Sequence, residues 1–445
     1  MRRFRGMVAL MAVFAIVVAA CGNGAEPDGG EPAEVGAEFT LVGAPAAAEA
    51  DAMQGFLDVY NSETGSNIIF TGSDDFENQL RIRVEGGDPP VVAFTPQPSS
   101  ICQFVATANP PVALEDMGFD IAEMEANHGK FWMDLGLCED GKHYGIPWFP
   151  NFKSIVFYHE ATFEAEGYEI PATYEDLVAM SQQMVDDGYT PWCFAFESAA
   201  ASGWPATDWI EDIVVRNSGG EVYAQWFRNE IPFTDPQIKE AFDLFGQIFF
   251  GEGFVLGGPE NVAAINFRDT PLPAFQDPPG CLMFKQGSFI ANFFPEGGED
   301  VMKVFPFPTI KGNTGAMGGG DTIIIWDDSP EIVQAVKDWI TPEWQCVLAS
   351  ASGGTASQYG GHGVVGVERL PGHKDVDPNC YETDAAKSFA TTITEALAQN
   401  AFVFDASDLM DPAVGQGTFW GGMIDWSQGK PTDQVLQEIQ AGYPN

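Results

Sequence analysis

The chain has 445 residues, 45% of them apolar, and its 20 basic and 64 acidic side chains give a formal net charge of −44 at pH 7. That length exceeds one typical core and corresponds to about two or three folded units. The negative field repels phosphate backbones, which excludes nucleic acid as a partner, and the scattered Lys and Arg form no basic cluster for an anionic ligand, which leaves neutral or cationic solutes.

Residues 1–21 read as a signal peptide: Arg2, Arg3 and Arg5 precede the apolar run Met7 to Ala20, which is too short to span a bilayer as a mature helix. The end of the run, Val18-Ala19-Ala20-Cys21, resembles a bacterial lipoprotein processing site. Cleavage before Cys21 and lipidation of its thiol are expected, which places the protein outside the cytoplasm, anchored to the cell membrane. Residues 22–37 are Gly, Ala, Pro, Glu and Asp with hardly an apolar side chain, the composition of a flexible tether. Export also suits the cysteines. With Cys21 assigned to lipid, six remain and no C-x-x-C pair exists, so a zinc or thioredoxin-like reading loses support. Six cysteines allow fifteen connectivities; the pairing expected here is Cys102 with Cys138, Cys193 with Cys281, and Cys346 with Cys380.

The folded body begins with the short β-branched run Phe39 to Val42. Met53, Phe56, Leu57 and Tyr60 then stand at i, i+3, i+4 and i+7, one apolar helix stripe ended by residues 61–65. Asn67 to Phe70 is a second strand. Ser73 and Asp75 supply N-cap chemistry before Phe76, Leu80 and Val84, and Val91 to Phe94 is a third strand. This β-α-β-α-β order predicts a parallel sheet with ligand-binding loops at its strand C-termini. Further on, Ser154 to Tyr158 is extended, and Thr173 caps a helix carrying Leu177, Met180, Ser181 and Met184. Residues 236–249 form an amphipathic helix, the runs 281–289 and 323–326 read as strands, and Ser329 opens another helix. The tail from Thr391 to Tyr443 reads as mostly helical, broken at Gly415 to Gly422.

The stretch Ser202 to Asp212 places two indoles and a carboxylate, Trp204, Asp208 and Trp209, within six positions. A sugar ring suits such a site, because its C–H faces lie on an indole while its hydroxyls need acceptors in place of water. Core packing is the competing reading for both indoles, and helix capping for Asp208. This stretch, with Glu230-Ile231-Pro232-Phe233, Asp408-Leu409-Met410 and Gly417-Thr418-Phe419-Trp420, resembles the family 1 extracellular solute-binding proteins of ABC importers, the group that contains maltose-binding protein. Within that group the chain looks most like the alpha-glucoside binding proteins. A looser match runs from about Glu38 onward and includes Gly145-Ile146-Pro147 and a helix from Ile332 to Trp344.

The resemblance implies an α/β, two-lobed periplasmic-binding-protein type II fold with a ligand cleft between the lobes. One lobe would span 38–154 and 318–370, the other 155–317 and 371–445. In this frame Asp74 and Gln97 lie in loops after strands of the first lobe, as hydroxyl partners or as caps. Trp148 lies at the cleft edge or packs a hinge, Trp420 lies among glycines, and Asp269 either holds vicinal hydroxyls or pairs with Arg268. Where the family carries tryptophan after Gly-x near Met283, this chain has Phe289.

Other motifs carry less. Asp375-x-Asp377-x-Asn379 starts like a calcium loop, but Cys380 replaces the required glycine. Gly318 to Gly320 is no dinucleotide fingerprint, and neither G-x-S-x-G nor H-E-x-x-H occurs, so no catalytic residue, metal site or cofactor is expected. The expectation is a monomeric, lipid-anchored protein that performs no chemistry, captures a neutral saccharide and delivers it to the transmembrane subunits of an ABC permease. A secreted carbohydrate-active hydrolase is the alternative, as is the same fold tuned to an osmolyte or peptide.

Overall fold

The computed structural model describes residues 36–351, 370–381 and 384–444; the leader, Cys21, the tether through residue 35 and residues 352–369 lie outside the described residues. Strand β1 (Glu38–Gly43) buries Phe39 and Leu41 and exposes Glu38 and Thr40, the period of two that a half-covered strand requires. Helix α1 (Ala48–Thr64) buries Met53, Phe56, Leu57 and Tyr60 as one stripe and ends at Gly65, whose φ of +73° suits glycine and whose N–H closes on the Asn61 carbonyl. Strand β2 (Asn67–Gly72) and helix α2 (Phe76–Gly86) follow, then β3 (Val92–Thr95) and helix α3 (Ser99–Val105). Asp75 holds the N-cap position of α2, and its carbonyl accepts from the Gln79 N–H, but its side chain makes no bond to the helix backbone; the carboxylate accepts from Asn78 at 2.9 Å.

β1 pairs in parallel with both β2 and β3, the arrangement the β-α-β-α-β order predicts. The later strands are β4 (Ile146–Phe152), β5 (Ile155–His159), β6 (Met283–Lys285), β7 (Met302–Pro306), β8 (Ala316–Ile325) and β9 (Phe402–Phe404). The first sheet runs β2-β1-β3-β8-β4, with β9 added in parallel to β8; the second is β6-β5-β7. Both β3 and β4 are antiparallel to β8.

The chain crosses from one sheet to the other at Lys153 and Ser154, between β4 and β5. This crossing is pinned to the start of β8. The Lys153 N–H donates to the Met317 carbonyl at 2.9 Å, and the Met317 N–H donates to Ser154 Oγ at 2.8 Å. Beside the first sheet, Trp148 stacks on Trp339 at 5.5 Å with Phe56 and Phe94 edge-on, and its carbonyl accepts from Gln345 and Gly372. Across the second, Trp209 stacks on Phe245 at 5.0 Å and meets Trp192 edge-on. Three disulfides join Cys102 to Cys138, Cys193 to Cys281 and Cys346 to Cys380, the pairing expected, with Cα–Cα distances of 5.4, 5.6 and 5.2 Å.

Four sequence expectations are corrected. The helix from Ile332 to Trp344 is two helices, Pro330–Trp339 and Pro342–Ala351, because Pro342 restricts Thr341 and opens a new N-terminus. The run 281–289 is a strand only over β6, after which Ser288–Phe293 turns as a 3₁₀ helix. Residues 415–422 do not break the tail: Ala413–Phe419 is a π-helical turn that runs into the helix Trp420–Ser427. Gly415 serves close packing, since a Cβ there would lie 1.9 Å from the Ser407 carbonyl oxygen. Finally, β9 lies in what the sequence reads as helix; it is only three residues long, too short for a periodic signal.

Trp209 is 1% exposed among aromatic rings, so Trp209→Ala is expected to cost about 3–5 kcal/mol of unfolding free energy. Urea denaturation checks this, and a loss under about 1 kcal/mol would contradict the core placement.

Candidate functional site

A cleft of about 1050 Å³, counting the open space at its mouth, lies between the two sheets. One wall is made of loops leaving the C-terminal ends of the parallel strands: Ala44 and Pro45 after β1, Ser73 and Asp74 after β2, and Pro96 and Gln97 after β3, with Phe149 to Asn151 of β4 below. The opposite wall carries Trp204, Arg268, Phe289, Asp408 and Trp420.

The indole wall depends on one glycine. Gly203 precedes the helix Trp204–Phe227 with φ of +108°, and a Cβ there would lie 2.1 Å from the Trp420 carbonyl oxygen. Only glycine lets these two tryptophan-bearing segments approach so closely. Trp204 is half-buried, edge-on to Phe267 at 5.0 Å and tilted against Phe289 at 5.8 Å. Trp420 is held by its indole N–H, which donates to Ser407 Oγ at 3.1 Å.

Beneath these rings lies a buried charge network. Lys153 Nζ donates to Asp208 Oδ1 at 2.9 Å and to Asp405 Oδ2 at 2.5 Å, and lies 5.2 Å from the Trp204 ring centre. Asp405 also accepts from Ser407 Oγ and from the Asp408 N–H, capping the helix Ala406–Leu409. Glu211 accepts from the Ala406 and Ser407 N–H groups at 2.8 and 3.1 Å. One turn beyond Asp208, Asp212 pairs with Arg216 and Lys285 and accepts from Ser154 Oγ.

Within the network Asp405 is the carboxylate that stays ionised. Burial pushes it up, but the Lys153 ammonium and hydrogen bonds from Lys153, Ser407 and Asp208 outweigh burial and hold it at about 2. Its neighbours go the other way. Burial raises Asp208 to about 7 against the pull of Lys153, and burial with the Asp405 charge raises Glu211 and Asp408 well above the carboxylate range. Burial also disfavours the Lys153 ammonium, yet Asp208, Asp405 and Asp408 hold it well above the usual lysine value. Carboxylate oxygens of Asp208, Glu211 and Asp405 lie within 4.8 Å of one another, but Lys153 already supplies their cation, so the group reads as an ion-pair network rather than a metal site.

Among the residues singled out from sequence, Asp74, Gln97, Trp204, Phe289 and Trp420 line the cleft. Asp208 lies just behind it on Lys153, four residues inside its helix and so not at a cap. Trp148 and Trp209 are fully buried in the two cores away from the cleft, Trp148 leaving β4 to stack on Trp339 and Trp209 leaving its helix to stack on Phe245. Asp269 is exposed and outside the lining; Asp74 of the opposite wall is the carboxylate that meets Arg268, at 2.7 Å. Sequence reading missed Lys153, Asp405 and Ser407 as site residues. Lys153 follows the aromatic β4 run directly, and a lone lysine between two strong strands was its only available signal.

A two-lobed α/β fold with an aromatic, acid-backed cleft defines an extracytoplasmic solute receptor of the type II periplasmic-binding-protein class. The chain belongs to the bacterial extracellular solute-binding protein family, whose profile matches residues 43–341. It is 33% identical over 410 residues to the osmoprotective compounds-binding protein GgtB of Synechocystis sp., covering 92% of each chain. It is 34% identical over 395 residues to the alpha-glucosides-binding periplasmic protein AglE of Rhizobium meliloti, covering 85% of this chain and 81% of that one. In fold it is similar to the solved bacterial solute receptor AcbH, with a TM-score of 0.74 at 18% identity over 91% of this chain and 98% of that one.

Two outcomes are expected from the network. Lys153→Met leaves Asp405 and Asp208 without their cation and should cost about 3–5 kcal/mol of stability, measured by urea unfolding; an unchanged midpoint would contradict the pairing. The raised groups Asp208 and half-buried Glu77, the latter pushed to about 7 mainly by burial, stabilise the fold below the unfolded carboxylate range and lose that contribution as pH rises through about 7. Asp405 acts oppositely, losing its contribution as pH falls toward about 2. The melting temperature should therefore be higher near about pH 5 than near about pH 8, and calorimetry showing the reverse order would refute this assignment.

Proposed function

We propose that the protein is a lipid-anchored, monomeric substrate-binding protein that captures a neutral saccharide of the alpha-glucoside class and delivers it to the transmembrane subunits of an ABC permease, with no chemistry of its own. One observation carries this reading. The cleft is lined by the indoles of Trp204 and Trp420, while its two basic lining residues, Lys153 and Arg268, each already face a carboxylate. Such a cavity has apolar surface for sugar C–H faces and polar groups for hydroxyls, and no free cation for an anion. A buried polar group left without its hydroxyl partner is penalised, which supplies selectivity. The match to AglE supports the alpha-glucoside class.

In this reading the lobes are 38–154 with 318–370 and 155–317 with 371–445, and solute binding favours the form in which they close. Trp204, Trp420 and Phe289 supply ring contacts; Asp74, Gln97 and Asp408 orient hydroxyls. Lipid on Cys21 and the tether of residues 22–37 hold the body at the outer membrane face of the permease. The match to GgtB favours a neighbouring reading, a compact osmoprotective solute in the same cleft.

A thermal-shift screen with maltose, sucrose, trehalose and betaine separates these, because a true ligand stabilises the folded state by mass action. A disaccharide should raise the melting temperature; betaine alone doing so would replace the saccharide reading, and release of product from a chromogenic glucoside would replace both. With the stabilising sugar, Trp204→Ala should weaken binding by about 1–3 kcal/mol in calorimetry, and wild-type affinity would remove Trp204 from the site.

A further inference from the structure

Contacts join the two walls of the cleft directly, at points spread along it. Asp74, in the loop between β2 and α2, meets Arg268 of the opposite wall at 2.7 Å. Ser100, at the start of α3, accepts from Gln416 Nε2 of the π-helical turn at 2.9 Å.

The first of these is built unlike a surface ion pair. Arg268 is only 14% exposed while Asp74 is 54% exposed. The 3₁₀ turn Phe267–Asp269 is capped by Asn266, which accepts from the Arg268 N–H at 3.1 Å, and the guanidinium lies 4.6 Å from the Phe267 ring centre and 5.6 Å from that of Phe293. The arginine is thus held rigidly by its own lobe, and the charge partner that meets it comes from the other. Its Nε is buried without a partner. A preorganised guanidinium loses little side-chain freedom on pairing, and aromatic faces that shed water strengthen the attraction. Glu77 lines the same wall one turn beyond Asp74.

We propose that Asp74 and Arg268 form an interlobe latch, backed by Ser100 and Gln416, that sets the population of the closed form. Arg268 is then a positioning residue that acts on solute through closure. The latch rests on the two-lobed reading of the function, while its sugar dependence rests on the saccharide reading.

Spin labels on Gln79→Cys and Asn261→Cys, both exposed positions on opposite lobes, report the interlobe distance by pulsed electron resonance. Distances are recorded in buffer and with about 10 mM of whichever of maltose, sucrose or trehalose raises the melting temperature most. In the wild type a short-distance population should be present in at least one condition. Asp74→Asn and Arg268→Gln should each lower it by about twofold or more, whereas Asp74→Glu, which keeps the charge, should retain it. Circular dichroism shows that each variant is folded. Wild-type distances in both neutralised variants, or a wild type lacking the short distance in both conditions, overturn the latch. If no sugar raises the melting temperature, the saccharide reading fails while the comparison in buffer still decides the latch.

Discussion

One buried ammonium organises the centre of the molecule. Lys153 lies where the chain leaves the first sheet for the second, and its Nζ meets Asp208 from the long helix and Asp405 from the segment after β9. Three distant stretches of sequence are thereby tied at the floor of the cleft. Taking the ammonium out of water is affordable only because two carboxylates meet it and the Ser407 hydroxyl and the Asp408 N–H donate to Asp405 as well. The rings above inherit their positions from this arrangement. Ser407 accepts from the Trp420 indole, and Lys153 lies against Trp204. Packing alone would leave these rings free to settle into the cores, as Trp148 and Trp209 do.

The same network shapes the field inside the cleft. Its carboxylates outnumber its cations, and proteins resolve such an excess by protonating the least supported groups. Asp405 keeps its charge beside Lys153, while Glu211 and Asp408 are shifted toward the neutral acid. A neutral carboxyl both donates and accepts, so the floor presents the mixed hydrogen-bonding character that hydroxyl groups share. The large surface charge of the chain is therefore a poor guide to the interior of its binding cleft.

Much of the scaffold was legible in the sequence because it is periodic. The Met53, Phe56, Leu57, Tyr60 stripe, the Thr173 cap and the helix Pro236–Phe249 each follow from local pattern. The cleft was legible only in part. Trp204 and Trp209 lie five residues apart on one helix, and sequence alone does not say which face meets the cavity. A helix advances about 100° per residue, so the two indoles point in different directions, one to the cleft and one to the core. Lys153 and Asp405 were illegible for another reason: their partners are more than fifty positions away, and tertiary pairing leaves no local trace.

The sheet order carries a consequence for how the molecule is made. β8 is central to the first sheet, where Val92 of β3 faces Ile325, and β9 is added at Phe402 to Phe404. The three N-terminal strands pair with one another, but the free edge of β3 waits for residues synthesised more than two hundred positions later. Until those arrive, β3 presents an open edge, and the first sheet cannot complete itself on the nascent chain. A polypeptide with this topology keeps its first sheet incomplete until β8 has been made, which favours folding after synthesis over folding during it.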